Sequence, residues 1–294
     1  IYFGIIKISA VAVPLDTKYK VDELASLFDD SQPKVLVTES PFLEPLVPIL
    51  PRFKYIEYII DLSSKYEGRF LSYQEIMGAG SAQKVKVEPE PEDIANIAYT
   101  SGPAFRPRGV MLSHQDLVMN AAISGDGFQQ TDEDVAVLFA LPLHHVVGLE
   151  AVLLTSISKG STVVMLPGLS ISGLMGTIEK ERGTIFMGVP FIFILMVHMA
   201  EEEGIKHDLL SLRLCCAGGA PMPTNIMKRF KQLYGLDIVQ FWGLTEATAR
   251  VTCQPVDGTG KLGSVGKALP GWEVKIVEDN GEELPLNQSG EIIV

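Results

Sequence analysis

Cysteine is scarce in this chain of 294 residues: Cys215, Cys216 and Cys253 are the whole complement. An adjacent pair plus one offers neither a disulfide framework nor metal-ligand spacing, and a reducing cytoplasm is the expected compartment. Positive charge is also in short supply, with 24 Lys and Arg against 36 Asp and Glu and a net charge of −12. That balance disfavours nucleic acid or an anionic membrane as an electrostatically steered partner, yet leaves room for a nucleotide held by a local cationic loop. Long apolar runs are missing too. The longest, residues 185–200, falls short of the roughly 20 residues a membrane span needs and contains Pro190 and His198, so it is expected in a buried core. No initiator Met or signal peptide opens the chain, and Ile1 and Val294 both lie in apolar stretches, which leads to the expectation of a piece of something longer. What is plentiful is apolar side chain: 47% hydrophobic content at this length can fill one large core or two fused ones.

Strand and helix patterns alternate from the start: strand over 11–15, helix over 21–30 with Leu24, Leu27 and Phe28 on one face, strand over 34–38, helix over 41–50, strand over 55–62. Such alternation implies a parallel sheet. Gly78-Ala79-Gly80 is only a fragment of a dinucleotide fingerprint, follows a helical segment, and reads as a turn. Residues 81–93 form a polar, proline-bearing connection. Further on, strands are expected over 135–143, 212–217 and 237–242, with helices over 190–200 and 224–234. From Gly263 onward, alternation over 272–277 and a turn at Asp279-Asn280-Gly281 open a β-rich region.

The segment from Tyr99 to His114 organises the chain. An apolar run over 94–100 suits a buried strand, and Gly102, Pro103, Pro107 and Gly109 then enforce a loop before Ser113 and Asp116 supply a helix-capping pair. Leu117, Val118, Ala121 and Ala122 are expected on the apolar face of that helix. Arg106 and Arg108, with Thr100 and Ser101, suit a cradle for a polyanion; a solvated surface loop is the plain alternative. The Gly-Lys-Ser/Thr ending of a Walker loop is missing. Pro142-Leu143-His144-His145 closes the strand over 135–143. Successive strand side chains point to opposite faces, so at most one of these histidines serves a site, and no carboxylate or cysteine stands nearby at ligand spacing. Two later strand ends carry backbone-exposing turns, Gly218-Gly219-Ala220-Pro221 and Gly243-Leu244-Thr245-Glu246, and ligands of α/β sheets bind at such ends.

Tyr99-Thr100-Ser101-Gly102, then Arg106-Pro107-Arg108-Gly109, resembles the phosphate-loop signature of the AMP-forming acyl-CoA synthetases and adenylate-forming enzymes, usually Thr-Ser-Gly-Thr-Thr-Gly-x-Pro-Lys-Gly. His145, Gly218-Gly219-Ala220-Pro221 and Trp242-Gly243-Leu244-Thr245-Glu246 follow in that family's order. The resemblance implies an α/β fold of stacked, mostly parallel sheets flanked by helices, with the start of a small β-barrel-like region at the C-terminus. It implies a truncated large N-terminal domain over 1–294. Its subregions would be 1–175 with the phosphate loop, 176–255 as a second α/β unit, and 256–294 as the β-rich start. ATP, Mg²⁺ and CoA are the implied cofactors and co-substrates, and a small-molecule carboxylic acid is the implied partner. By the same resemblance Thr100, Ser101, Gly102, Arg106, Arg108 and Gly109 hold phosphates, Gly218 to Pro221 and Trp242-Gly243 hold adenine, Thr245 donates to the α-phosphate and Glu246 holds Mg²⁺. His145, Val146, Gly188, Val189 and Phe191 would line the acid pocket, and Val146, where amino-acid-activating members have aspartate, points to a fatty or aryl acid. For Phe191, Phe193, Ile194 and Met196, core packing is the competing reading, as helix capping is for Thr245 and Glu246.

Pro103, Ala104 and Phe105 replace the family's two threonines and glycine. Two lost hydroxyl donors to charged phosphate correspond to about 3 to 6 kcal/mol. That departure motivates a rival reading, a non-catalytic nucleotide or acyl binder of the same fold. A Rossmann-type oxidoreductase, which would bind NAD, is the third.

Overall fold

The computed structural model describes residues 1–63, 70–83, 85–100, 107–166, 168 and 170–294. The expectations placed on Ser101, Gly102, Pro103, Ala104, Phe105 and Arg106 fall outside these residues. Contacts divide the chain into two compact units, Ile1–Pro89 with Ala95–Gly109, and Glu90–Ile94 with Val110–Val294.

The first unit opens with α1 (Tyr2–Lys7). The expected strand over 11–15 shrinks to a single parallel bridge between Ala12 and Asn96, because Pro14 has no N–H to continue a ladder. In α2 (Val21–Ser31) the Lys20 N–H donates to Glu23 Oε2 at 2.7 Å, Ala25, Leu27 and Phe28 are buried, and left-handed Gln32 ends the helix. β1 (Val35–Thr38) is followed by α3 (Ser40–Leu43), a single turn where a longer helix was expected, since Pro45 and Pro48 interrupt it. β2 (Tyr58–Asp61) and β3 (Leu71–Ser72) extend a parallel sheet in the order β1-β2-β3. Phe28 meets Phe53 edge-on at 5.4 Å beneath it. Gly78 lies inside α4 (Tyr73–Ala79) and Gly80 caps it, so the glycine fragment is a helix end. β4 (Ile94–Thr100) forms as expected. The loop reading beyond Pro107 is corrected: Arg108–Ser113 is a strand, β5, in which Met111 faces out and Leu112 is buried, the alternation of a half-covered strand.

The second unit carries the main sheet. Ser113 Oγ accepts the Asp116 N–H at 3.1 Å while Asp116 Oδ2 accepts the Ser113 N–H at 2.9 Å, a reciprocal cap that starts α5 (His114–Gly127). The face that α5 buries holds Leu117, Asn120, Ala121 and Ser124, whereas Val118, expected to be buried, is exposed. β6 (Val135–Leu138) leads to a π-helix (Val147–Leu154), α6 (Thr155–Ser158) and β7 (Thr162–Met165). Then come α7 (Ile171–Glu181), β8 (Ile185–Gly188), α8 (Pro190–Glu203), β9 (Leu214–Ala217), α9 (Thr224–Tyr234) and β10 (Ile238–Trp242). β11 (Thr252–Cys253) and β12 (Lys267–Ala268) complete a seven-stranded sheet in the order β12-β11-β10-β9-β8-β6-β7. Every pairing from β10 to β7 is parallel, and β11 and β12 are antiparallel. β8 and β9 are buried at every position, as strands covered on both faces must be. β13 (Lys275–Val277) and β14 (Glu291–Ile293) pair antiparallel as the β-rich region. Cys215, Cys216 and Cys253 are free and buried, and desolvation pushes the Cys215 and Cys253 thiols up to about 12 and about 11. Among the described residues no helix is long and apolar enough to cross a membrane.

An ionic clasp joins the amino ends of the strands. Arg213 donates to both oxygens of Asp134, at 2.7 and 2.5 Å, and also to the carbonyls of Phe128 and Gln129. Burial pushes the Asp134 carboxyl up, but hydrogen bonds from Arg213, Thr184 and the Thr131 N–H outweigh it and hold its pKa at about 2. A folded pKa below the unfolded value of about 3.9 stabilises the fold above that pH, and the contribution disappears as pH falls from about 4 to about 2. Asp134→Ala is therefore expected to destabilise the protein by about 2 to 4 kcal/mol at pH 7 in urea denaturation. The gap between variant and parent should narrow at pH 3.

Candidate active site

Gly188, Ala217 and Gln240 are register partners across β8, β9 and β10, and Leu138 of β6 pairs with Met187 of β8. β8 and β9 therefore end level, β6 stops one residue earlier and β10 runs two residues further, to Trp242, and the segments leaving all four emerge along one edge of the sheet. Two of these segments need glycine. A Cβ on Gly218 would lie 2.3 Å from the Phe241 ring, Gly219 has φ +79, and a Cβ on Gly243 would lie 1.7 Å from the Ala249 carbonyl oxygen. Beside them, Val189 caps α8 from the end of β8, and its Cγ1 lies 3.8 Å from where a Gly219 Cβ would stand. Gly188 is buried, Val189 is partly buried, and Ala220, Pro221 and Phe191 are exposed. Phe193 and Met196 are fully buried in the core, which favours packing over ligand contact for both.

The segment after β10 is a closed loop. The Val251 N–H donates to the Trp242 carbonyl at 3.0 Å, and Thr245–Ala247 form one 3-10 turn inside it. Thr248 and Ala249 carry φ values of 66 and 147, two left-handed residues with side chains in succession. Such conformations cost of order 1 to 3 kcal/mol each and persist only where surroundings impose them. Part of the imposition comes from Asn120, which is buried and donates to the Arg250 carbonyl at 3.0 Å and the Ala247 carbonyl at 3.4 Å. Sequence reasoning missed Asn120; its signal was an amide spaced three residues from Leu117 on a helix face that packs inward. Within the loop Trp242 is half-buried, Thr245 is buried, and Glu246 is exposed.

The segment after β6 differs from expectation. The strand ends at Leu138, Ala140 takes φ 55, and His144 and His145 stand in a turn before the π-helix, so strand alternation does not govern their directions. The Val147 N–H donates to His145 Nδ1 at 3.1 Å, which leaves the proton of the neutral ring on Nε2. Partial desolvation, then the charge of His144, lowers the His145 pKa. Val146 is buried at the mouth of the π-helix. In the first unit, Thr100 ends β4 and Arg108 opens β5 as an exposed side chain. Gly109 is required there because a Cβ would lie 2.9 Å from Ile97 Cγ2.

No group of three or more His, Cys, Asp or Glu among the described residues is placed to hold a metal ion. An exposed single carboxylate such as Glu246 fits the alternative style of site, in which Mg²⁺ takes one or two carboxylates and completes its shell with substrate phosphate and water.

These features define an α/β protein whose candidate site sits where neighbouring parallel strands end. A family model described as AMP-binding enzyme matches residues 1–294, and the chain belongs to that family. A long-chain-fatty-acid–CoA ligase of Bacillus subtilis is 28% identical over 321 residues, covering 100% of this chain and 57% of that protein. A 4-coumarate–CoA ligase-like protein of Arabidopsis thaliana is 36% identical over 230 residues, covering 76% of this chain and 40% of its own length. Among solved structures, the anthranilate CoA ligase AuaEII in complex with anthranoyl-AMP superposes with a TM-score of 0.89 at 27% identity, covering 99% of this chain and 55% of that one. ATP-bound MatB of Rhodopseudomonas palustris gives 0.88 at 26% identity, covering 99% and 56%. The chain thus spans about half the length of the curated relatives it matches.

Two expectations follow from the geometry. Gly243→Ala should lower thermal stability by about 1 to 3 kcal/mol through the clash with the Ala249 carbonyl, whereas Gly78→Ala, with open space inside a helix, should be neutral or stabilising by up to about 1 kcal/mol. In an NMR titration, the His145 ring should protonate below pH 6.5, remaining neutral at pH 7.

Proposed function

We propose that this chain is the large N-terminal part of an AMP-forming acid–CoA ligase, which joins a carboxylic acid to ATP as an acyl-adenylate and then transfers the acyl group to CoA. The observation that carries the reading is the pairing of Gly188, Ala217 and Gln240 near the carboxyl ends of β8, β9 and β10, which brings the Gly218-Gly219-Ala220-Pro221 turn beside the Trp242 to Glu246 loop. In this reading the half-buried Trp242 offers its indole face to adenine, and the turn after β9, open because Gly218 and Gly219 lack side chains, accepts the base edge. Thr245 donates its hydroxyl to an α-phosphate oxygen, and Glu246 holds Mg²⁺. The metal would supply charge neutralisation on the phosphates.

An oxygen of the substrate carboxylate attacks the α-phosphorus, the bond to the bridging oxygen breaks, and pyrophosphate leaves with its electron pair. Positioning and electrostatic stabilisation are what this chain can contribute to such a step. His145, neutral at pH 7 with its proton on Nε2, borders the acid as a hydrogen-bond donor rather than as a second cation. Arg108, Thr100 and Gly109, with Ser101, Gly102 and Arg106, are read as the phosphate-binding loop. Gly188, Val189, Phe191 and buried Val146 line an apolar acyl pocket. A fatty or aryl acid suits that lining, in keeping with relatives named as long-chain-fatty-acid and 4-coumarate ligases. We read the protein as cytoplasmic, and the partition 1–175, 176–255 and 256–294 as its internal organisation.

The replacement of two threonines and a glycine by Pro103, Ala104 and Phe105 favours a second reading, a nucleotide or acyl binder without turnover. Carboxylate-dependent pyrophosphate release by the full-length protein, before and after those three positions are restored, separates the two. Release with at least one fatty or aryl acid supports the ligase, and none in either form supports the binder. Calorimetry on the chain itself should show Mg-ATP binding weakened about tenfold or more by Thr245→Ala and by Glu246→Gln. NAD should not bind.

A further inference from the structure

Arg250 is among the largest fully buried side chains of the protein. Removing a guanidinium from water is unfavourable unless other groups compensate, so its retention calls for a reason. Its Nη2 donates to the Ala151 carbonyl at 2.7 Å and to Thr155 Oγ1 at 3.0 Å, and its Cζ lies over the Phe128 ring, 4.1 Å from the centroid, and over the Phe241 ring at 5.5 Å. Glu150, next to Ala151 in the π-helix, is fully buried as well. Neither Glu150 carboxylate oxygen, nor Arg250 Nε or Nη1, has a hydrogen-bond partner among the described residues. Burial raises the Glu150 carboxyl to about 8, with the charge of Arg250 opposing that rise. At pH 7 Glu150 is therefore mostly the neutral acid, and the binding of Arg250 rests on its two hydrogen bonds and the rings it lies over.

What Arg250 joins is as informative as its burial. Its backbone belongs to the Trp242–Val251 loop, and the preceding residue, Ala249, presses its carbonyl into the space that a side chain on Gly243 would need. Thr245 lies two residues beyond Gly243. On the far side, Ala151 and Thr155 belong to the π-helix and to α6, which continue directly from His145 through the Val147 N–H bond to Nδ1. The Thr155 hydroxyl, which Arg250 contacts, also donates to the Glu150 carbonyl at 3.0 Å and helps hold the widened helical turn. A leucine or methionine could fill the same volume. Only a side chain with several fixed donors can tie the two segments in one geometry.

We propose that Arg250 is a positioning residue that locks the Thr245–Glu246 turn to the π-helix behind His145. The guanidinium touches no substrate. It acts by fixing the position of Ala249, and through Gly243 the approach of Thr245 and Glu246 to a ligand. This inference rests on the reading of Thr245 and Glu246 as nucleotide-binding residues.

The test uses the 294-residue chain in a Trp272→Phe background, so that Trp242 alone reports binding. Mg-ATP is titrated by fluorescence, and amide hydrogen exchange is followed over Thr245–Ala247 and Val147–Leu154. Arg250→Met, folded by circular dichroism, is expected to raise the Kd about tenfold or more and to speed exchange in both segments, with the amides of β7 and β9 unchanged. Arg250→Lys, which keeps the charge without the fixed fork of donors, should recover only part of the affinity. Thr155→Val removes one acceptor at constant volume and carries the test where Arg250→Met does not fold, with an expected increase in Kd of about three- to tenfold. An unchanged Kd in a folded variant, or exchange that quickens evenly across the chain, overturns the proposal. If the parent itself does not bind Mg-ATP, the nucleotide reading fails, and the exchange pattern still decides whether Arg250 couples the two segments.

Discussion

The parallel pairing of Gly188, Ala217 and Gln240 is the constraint on which the rest of the second unit depends. Because β8 and β9 stop at this row and β10 runs only two residues past it, their outgoing segments must leave through a narrow edge, and side chains there compete with backbone for space. Glycine resolves the competition at Gly218 and Gly243, where the Phe241 ring and the Ala249 carbonyl occupy the volume a Cβ would take. A slip of one residue between β9 and β10 would reverse which faces of those strands point into the core, and it would bring Trp242 out of line with the turn after β9. Packing and site geometry are therefore one problem here. The apolar residues that bury β8 and β9 on both faces are the same residues that hold that row in register.

Much of this arrangement was legible in the sequence. Leu214-Cys215-Cys216-Ala217 before two glycines, and Ile238 to Trp242 before Gly243, announce buried strands that end in open turns, and α9 runs from Thr224 to Tyr234 as its apolar spacing requires. Misreadings cluster where local signals conflict with tertiary ones. Residues 108–113 carry glycine and follow proline, so they look like loop, yet Leu112 has a core to face and the segment extends as a strand. Val118 looks like a core residue and Asn120 like a surface one, and the structure reverses both because Asn120 finds two carbonyl acceptors inside. Periodicity reports hydrophobicity, and it is silent about an amide whose partners lie more than a hundred residues away.

Charge is distributed with a similar division of labour. At the amino ends of the strands, Asp134 and Arg213 meet directly, each with several further partners, and the carboxylate is held firmly ionised. Deeper in the unit, Glu150 and Arg250 face an interior that withholds hydrogen bonds from four of their five side-chain polar atoms. The first arrangement closes an exposed seam. The second places strong, directional groups behind the loop that presents Thr245 and Glu246, where neither histidine nor cysteine offers an equivalent fixed fork of donors.

The π-helix has a consequence for how this region tolerates changes in length. Its i to i+5 bonds accommodate one more residue per turn than an α-helix would over the same span, and α6 follows without a break. Deleting a single residue between Val147 and Leu154 would let a wide turn tighten to ordinary helical winding, and that change of winding would take up the lost residue, whereas the same deletion from an α-helix turns everything upstream by about 100°. His145 would then keep close to its present direction relative to Thr155. A one-codon deletion that most helices would reject as disruptive would here be absorbed quietly, with the histidine still facing its own quarter of the molecule.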